Sequence, residues 1–161
     1  MKNKKKNLIA ISLILSIFAV SFVASKTNVV DSLGEQIDLF ITDAYYGDFD
    51  YDGNEDDIRI KAILDANFQD EVLMFLYIDI VLPSNYVHKF SFMVEAEFEG
   101  PDKFVTITAF NTATESGWYD CELTGLAVYR DVLLYSFSMK TFDPPTGSGE
   151  NGDPAAIISL T

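Results

Sequence analysis

Residues 71–98 read EVLMFLYIDIVLPSNYVHKFSFMVEAEF, two largely apolar runs that are joined by a short polar turn. In the second run, alternate positions from Phe90 to Phe98 are apolar, whereas Ser91, Glu95 and Glu97 lie between them. Because successive side chains of a strand point to opposite faces, this pattern predicts a strand with a core face and a solvent face. The first run is apolar on both faces for most of its length, which predicts a central strand covered on two sides.

The same alternation extends outward on both sides of this stretch. Short segments rich in Val, Ile, Phe, Tyr and Thr, separated by Gly, Asn, Asp and Pro, fill residues 37–142. This spacing is typical of an antiparallel β-sandwich, and no part of 37–140 shows helical periodicity over three turns. We therefore predict an all-β, antiparallel, seven-stranded sandwich with strands at about 37–45, 56–66, 71–82, 86–98, 103–110, 117–126 and 131–140.

The N-terminus has the layout of a targeting segment. Four lysines lie before residue 7, and residues 8–24 (LIAISLILSIFAVSFVA) are 17 uncharged positions. This order predicts a secretory signal helix over residues 1–25, with cleavage between Ser25 and Lys26. An uncleaved membrane anchor remains open, since 17 apolar residues are at the short limit of a span, as does pilin-type processing before the apolar run. All three alternatives export the remainder, so we expect a secreted or cell-surface protein.

The exported part is strongly acidic. Residues 26–161 carry 7 basic and 25 acidic residues, a formal charge of −18, whereas the whole chain carries −14. This balance excludes nucleic-acid binding, which needs a basic surface. It also limits membrane attachment to the N-terminal segment, if that segment is kept, and it favours divalent cations or a basic partner. The high apolar (48%) and aromatic (14%) content distinguishes the chain from disordered acidic tails.

Two polar segments flank the predicted sandwich. Residues 26–36 (KTNVVDSLGEQ) are expected to be a lead-in, and residues 143–161 a Pro/Gly-rich acidic tail. The tail begins with DPPTGSGENGDP, a composition that favours neither strand nor helix. Its last apolar run, 155–160 (AAIISL), is too short for a membrane span but apolar enough to add a strand to a sheet.

Residues 48–57 read DFDYDGNEDD and predict a cation site. Carboxylates occupy loop positions 1, 3, 5 and 9, Gly53 permits a sharp turn, and position 7 can offer a backbone carbonyl. Oxygen donors without Cys or His select calcium or magnesium, and Arg59 at position 12 excludes an EF-hand. We predict bound Ca²⁺, with oxygen ligands from Asp48, Asp50, Asp52, Asn54 and Asp56.

The stretch from Gly47 to Ile58 resembles the Asp-x-Asp-x-Asp-Gly-x-x-Asp loop of FG-GAP and VCBS-type repeats and of thrombospondin type 3 repeats. The resemblance covers about 12 of 161 residues and occurs once, so it bears on the ion site and not on a propeller fold. It implies that four side chains and the Asn54 carbonyl hold the ion, which we expect to act as a structural staple. A solvated acidic turn without an ion is the alternative.

A second resemblance lies at residues 115–121 (ESGWYDC). It is similar to the Asp-x-Gly-x-Tyr-x-Cys pattern of immunoglobulin-like domains, with Tyr119 two residues before Cys121. This implies an immunoglobulin-like sandwich in which the tyrosine hydroxyl bonds to the chain upstream. The exported part has no second cysteine for the inter-sheet disulfide, and Trp118 lies beside Tyr119 instead of on the third strand. We expect Cys121 to be a buried thiol.

Residues typical of catalysis are scarce. His88 is expected to be packed or at the rim of the core, and Glu95 and Glu97 lie on the predicted solvent face. We therefore predict that the protein is not an enzyme but an exported calcium-binding structural or adhesion module, with an unknown protein or glycan at the cell surface as partner. One alternative is a glycan-binding module that uses the aromatic residues Tyr45, Tyr46, Tyr51 and Trp118. Another is a filament subunit whose tail or N-terminal segment complements a neighbour's sheet.

Overall fold

A computed structural model of the chain describes residues 34–98, 102–143 and 152–161. This part is all-β, and its strands are β1 Ile37–Gly47, β2 Asp57–Ala66, β3 Glu71–Val81, β4 Val87–Glu97, β5 Lys103–Phe110, β6 Tyr119–Tyr129, β7 Val132–Phe142 and β8 Ala155–Leu160. The predicted signal peptide or anchor and most of the lead-in lie outside the described residues. Within those residues, no helix is long and apolar enough to cross a membrane.

The strands form two four-stranded sheets in which every pairing is antiparallel. One sheet has the order β1-β2-β5-β8 and the other has the order β4-β3-β6-β7. The chain changes sheet between β2 and β3, between β4 and β5, between β5 and β6, and between β7 and β8. The predicted all-β class with two packed antiparallel sheets is therefore confirmed.

The predicted number of seven strands is corrected to eight. The additional strand, β8, pairs with β5 from Val105↔Leu160 to Phe110↔Ala155, and Thr161 exchanges two backbone hydrogen bonds with Phe104 (2.9 and 3.0 Å). Alternate residues of β8, including Ile158, pack against the core. Six apolar residues carry little signal of their own, but the open edge of β5 offers them both a hydrogen-bonding partner and an apolar surface.

The inward faces of the two sheets form the core. Ile58, Ile60 and Leu64 from one sheet and Leu76 and Ile78 from the other have no exposed surface. The inward positions predicted for β4 are buried or half-buried, and its charged positions are exposed. Cys121 also lies in this core, where burial raises the pKa of its thiol to about 12. The expectation of a buried thiol is confirmed.

Strand β3 is central, as predicted, but its two faces differ. Its inward side chains are buried, whereas Leu73, Phe75 and Tyr77 on the outward face are 45%, 39% and 37% exposed. Over the described parts of the chain, cover is therefore present on one face of β3 only. Apolar sequence on both faces of a strand predicts cover on both faces, and the described residues do not provide the cover predicted for the outward face.

The two sheets meet along one side through β1 and β7. The Leu39 N–H donates to Ser136 Oγ (2.8 Å) and the Ile41 N–H donates to Ser138 Oγ (2.9 Å). Just beyond, between Ile41 and Asp43, a bulge shifts the pairing of β1 with β2. These outward-facing amides of an edge strand are thus bonded to side chains of the facing sheet.

Tyr119 forms a corner at the start of β6. Its ring is fully buried; its hydroxyl donates to the Glu115 carbonyl (2.8 Å) and accepts from the Glu115 N–H (2.7 Å). Burial raises the pKa of this hydroxyl. The Glu115 carboxylate in turn accepts from the N–H and hydroxyl of Ser84 (2.8 and 2.7 Å). The corner therefore links the β5–β6 connection to the β3–β4 turn.

Candidate metal centre

The loop between β1 and β2 brings three carboxylates together. Asp48, Asp50 and Asp52 each offer an oxygen, and these oxygens lie within 4.8 Å of one another. Asp48 is half-buried and the other two residues are exposed. Three anionic oxygens at this separation repel one another in the absence of a positive charge. The group can therefore hold a metal ion, and its all-oxygen chemistry suits a hard cation.

Local hydrogen bonds set the shape of this loop. The Gly53 N–H donates to Asp48 (3.1 Å), the Asp52 N–H to Asp50 (3.1 Å), and the Asn54 N–H to Asp52 (2.8 Å). Gly53 has φ of +96°, a left-handed conformation that glycine adopts without steric penalty. The sharp turn expected at this glycine is present.

Phe49 anchors the loop to the sheet. Its ring lies so close over Gly47 that a Cβ at position 47 would be 2.9 Å from it. The Arg59 guanidinium lies 3.8 Å from the centre of the Phe49 ring, and the Tyr45 ring meets it edge-on at 5.7 Å. Glycine at 47 and an arginine on the neighbouring strand thus hold the single apolar residue between Asp48 and Asp50.

The Asp57 carboxylate holds the backbone of the loop through hydrogen bonds. Its buried carboxylate accepts the N–H groups of Phe49 (2.7 Å) and Asp50 (3.1 Å) through Oδ2 and that of Asn111 (2.9 Å) through Oδ1. Asp57 is not among the ligands that the loop spacing predicts. Asn111 lies 54 positions away, and nothing in the local spacing distinguishes Asp57 from the neighbouring acidic residues.

Asp56 is as buried as Asp57, but its carboxylate accepts no hydrogen bonds in the described part of the chain. Its backbone carbonyl, by contrast, accepts from Thr112 (2.8 Å) and Ala113 (2.6 Å). Burial, followed by the charges of Asp57, Asp52 and Asp50, raises the pKa of Asp56. A buried, ionised carboxylate without a partner is strongly unfavourable, so a cation close to Asp56 would stabilise the folded protein.

The charge of the loop also affects Asp50. Desolvation raises its pKa, and the charges of Asp57, Asp52 and Asp48 add to this rise, while a backbone hydrogen bond from Asp52 opposes it. The raised pKa values of Asp50 and Asp56 thus share two causes, desolvation first and then the charges of neighbouring aspartates that the loop does not neutralise locally.

The structure brings three of the five predicted ligands together and places the other two outside that cluster. Asp48, Asp50 and Asp52 form the cluster. Asp56 is not one of its three carboxylates but lies buried close enough to feel the charges of two of them. The Asn54 side-chain amide donates to Asp52 (3.1 Å), and the use of its carbonyl as a ligand stays a prediction.

The other residues considered as candidates lie apart from this loop. His88 is half-buried, burial lowers its pKa, and its ring packs edge-on against Tyr86 at 5.0 Å. Glu95 and Glu97 are exposed on β4. In the ranges that the structure describes, no second group of three His, Cys, Asp or Glu side chains has a separation that suits a metal ion.

Comparison of the chain with protein-family models, with curated proteins and with solved structures gives no significant match. The geometry of the site and the architecture around it are therefore the basis for a functional proposal.

Proposed function

We propose that this chain is an exported, non-catalytic β-sandwich, stabilised by one calcium ion in the 48–57 loop, that serves as a structural or adhesion module on the cell surface or in secreted form. The observation that carries the ion is the pairing of the Asp48-Asp50-Asp52 cluster with the buried Asp56 carboxylate, whose oxygens find no partner in the described part of the chain. An acidic turn that serves only solubility gives no reason to bury Asp56.

Calcium is the cation that we assign to the site. Its flexible coordination by six to eight oxygens suits a mixture of carboxylates and a backbone carbonyl, whereas magnesium demands a stricter octahedral arrangement. The side chains of Asp48, Asp50, Asp52 and Asp56 and the carbonyl of Asn54 would hold it. The resemblance of this loop to the calcium loops of FG-GAP, VCBS-type and thrombospondin type 3 repeats supports the same assignment.

A structural role follows from what the loop touches. Asp57 and the Asp56 carbonyl bond to residues 111–113, so an ion in the loop would tie the β1–β2 connection to the β5–β6 connection. At free calcium about 100 times the dissociation constant, such a site stabilises the fold by about 2.7 kcal/mol. The chain has one cysteine, so an ion supplies a restraint that an internal disulfide cannot.

We also propose that the sandwich is immunoglobulin-like. Strands β1-β2-β5 facing β4-β3-β6-β7, together with the buried Tyr119 corner at the start of β6, support this kinship. The missing disulfide, the position of Trp118 and the added strand β8 are its departures from that family's pattern.

Thermal unfolding of the full chain in calcium and in chelator tests the proposal. We expect calcium to raise the midpoint of the wild type, and Asp50→Asn to remove most of this rise because a cluster carboxylate is lost. Asp102→Asn is the matched control, since Asp102 is an exposed residue outside the loop and should leave the calcium response intact. An unchanged midpoint in calcium, or equal responses of the two variants, would contradict the ion site.

A glycan-binding function is the second candidate, and two exposed aromatic residues favour it. Tyr51 in the metal loop is 89% exposed, and Trp118 before β6 is 65% exposed. Exposed aromatic rings stack on the apolar faces of sugars. Binding to a glycan array that chelator abolishes, and that Trp118→Ala weakens without changing thermal stability, would favour this function over a purely structural one.

A further inference from the structure

The outer face of the β4-β3-β6-β7 sheet is the most apolar exposed surface of the described chain. Nine large apolar side chains on it are 37–66% exposed, among them Phe75, Tyr77, Met93, Tyr135, Phe137 and Met139. We call this surface the outer apolar face. On most outer sheet faces polar residues alternate with the core residues, so apolar residues on both faces require a separate explanation.

These side chains form one continuous patch across all four strands. Phe75 pairs with Met93 on β4 and with Leu126 on β6, and Leu126 pairs with Tyr135 on β7. The next row along the strands, two residues further, contains Tyr77 and is also free of charged residues. Residues opposite one another and two apart on the same face are neighbours, so the patch is continuous, with Ser91 and Thr124 as the polar members of its central rows.

The size of the patch matches one side of a specific protein interface. An aromatic side chain presents about 150–250 Å² and Leu, Val or Met somewhat less, so nine that are on average about half exposed offer roughly 800 Å². A standard interface buries about 800 Å² per partner, and monomeric proteins rarely expose apolar patches of more than a few hundred Å². The outer apolar face is therefore large enough for a stable association.

We infer that this face binds a second copy of the chain, sheet against sheet, about a twofold axis. The exported part carries −18, so two copies repel one another wherever charges meet. The two central rows of the outer apolar face carry no charge, and the charged residues of the face lie in the flanking rows, beside Leu73 and Met139. Two acidic molecules can therefore meet with uncharged rows at the centre of the contact and with ionised groups at its hydrated rim. A flat apolar surface is also complementary to itself, as a twofold contact requires.

The charges of the outer face flank its two central rows, and all of them except Lys89 are acidic, among them Glu71, Asp79, Glu95, Glu97 and Glu122. On β4, Lys89 lies at one end of the outer face, beside Asp79, and Glu95 and Glu97 lie at the other. A twofold axis across the strands places the Lys89 end of one copy over the Glu95 end of the second. The inference does not rest on the calcium site, which belongs to a loop of the other sheet.

Sedimentation of the full chain at about 1 to 100 μM tests the inference. We expect the wild type to dimerise, and Phe137→Glu to weaken dimerisation about 30-fold or more, the loss typical of a central aromatic anchor. Phe104→Glu is the matched control, because Phe104 is 57% exposed on the outer face of the other sheet. It adds the same charge and should change the dissociation constant by less than about threefold.

Salt provides an independent readout. Because both copies are acidic, raising the ionic strength should tighten the dimer, whereas a contact held by ion pairs would weaken. If Phe137→Glu does not fold, Met93→Glu on the exposed side of β4 tests the same face. A wild type that stays monomeric at about 100 μM would overturn the inference and would leave a glycan, another protein or another part of this chain as the occupant. Equal effects of Phe137→Glu and Phe104→Glu would also overturn it.

Discussion

Replacing Asp56 with asparagine should change the stability of the domain in opposite directions with and without calcium. In chelator, the wild type holds a fully buried carboxylate whose oxygens have no partner among the described residues and whose pKa is raised by burial and by Asp57, Asp52 and Asp50. Asparagine removes the charge at nearly constant volume. The metal-free variant should therefore be more stable than the metal-free wild type.

The magnitude follows from the environment of this side chain. A buried, uncompensated carboxylate is unfavourable by several kcal/mol, whereas an unpaired amide costs about 1–3 kcal/mol, so we expect a net gain of about 1–2 kcal/mol in chelator. In calcium at about 100 times the wild-type dissociation constant, the wild type gains about 2.7 kcal/mol. A variant that binds 100-fold more weakly gains only about 0.4 kcal/mol. The response to calcium should thus shrink by about 2.3 kcal/mol.

Urea unfolding in calcium and in chelator measures these differences, and Asp57→Asn is the matched control. Asp57 is equally buried, but its carboxylate accepts three backbone N–H groups. In chelator its amide variant should lose about 2–4 kcal/mol, because an amide cannot accept all three bonds. Two adjacent aspartates, changed in the same way, should therefore differ in sign in chelator.

If Asp56→Asn is less stable than the wild type in chelator, and by the same amount in calcium, then no cation compensates the Asp56 carboxylate. The burial of that side chain would then need an explanation that the ion does not provide.

Three further predictions concern the rest of the fold. Tyr119→Phe should lower the free energy of unfolding by about 1.5–3 kcal/mol, measured in urea, since it removes two hydrogen bonds to Glu115 and leaves a backbone N–H unpaired. Ile158 packs against the core, so Ile158→Asp should destabilise the fold by about 1–2 kcal/mol. Ile157 lies on the exposed face of β8, so Ile157→Asp should change stability by less than about 0.5 kcal/mol. Thermal unfolding of both variants tests whether β8 belongs to the core. Burial raises the pKa of the Cys121 thiol from 9.0 to about 12. The contribution of the neutral thiol to stability should therefore be complete below pH 9 and decline between pH 9 and 12, as urea unfolding across this range measures. Alkylation of Cys121 near pH 8 should proceed only through unfolding.

Much of the sandwich could be predicted because strand periodicity is a local property. The alternation in β4 and the apolar character of β3 placed both strands correctly, and Tyr119 marked the corner before β6. The sequence alone predicts a tail at residues 143–161, because the pairing of β8 depends on the edge of β5, about 50 residues earlier in the chain. A sequence pattern identifies apolar faces, but it does not say which surface covers them.

The candidate site likewise has features that local spacing predicts and features that depend on residues distant in the sequence. Loop spacing brought Asp48, Asp50 and Asp52 together, because alternate residues of a tight turn face one centre. The support provided by Asp57 depends on Asn111, so it could not be found from local spacing. The unpartnered state of Asp56 likewise emerges only from the folded surroundings of the loop.

The bonds from the β1 amides to Ser136 and Ser138 bear on how copies of this protein assemble. An edge strand with free amide donors is a template for further strands and leads to open-ended polymers. Here the donors of Leu39 and Ile41 are already occupied by the facing sheet, so growth along this edge is blocked. A twofold contact between outer sheet faces uses the same surface of both copies, so no third copy can bind through that surface. Apolar side chains on a face, combined with a closed β1 edge, favour association through sheet faces over the addition of strands at β1.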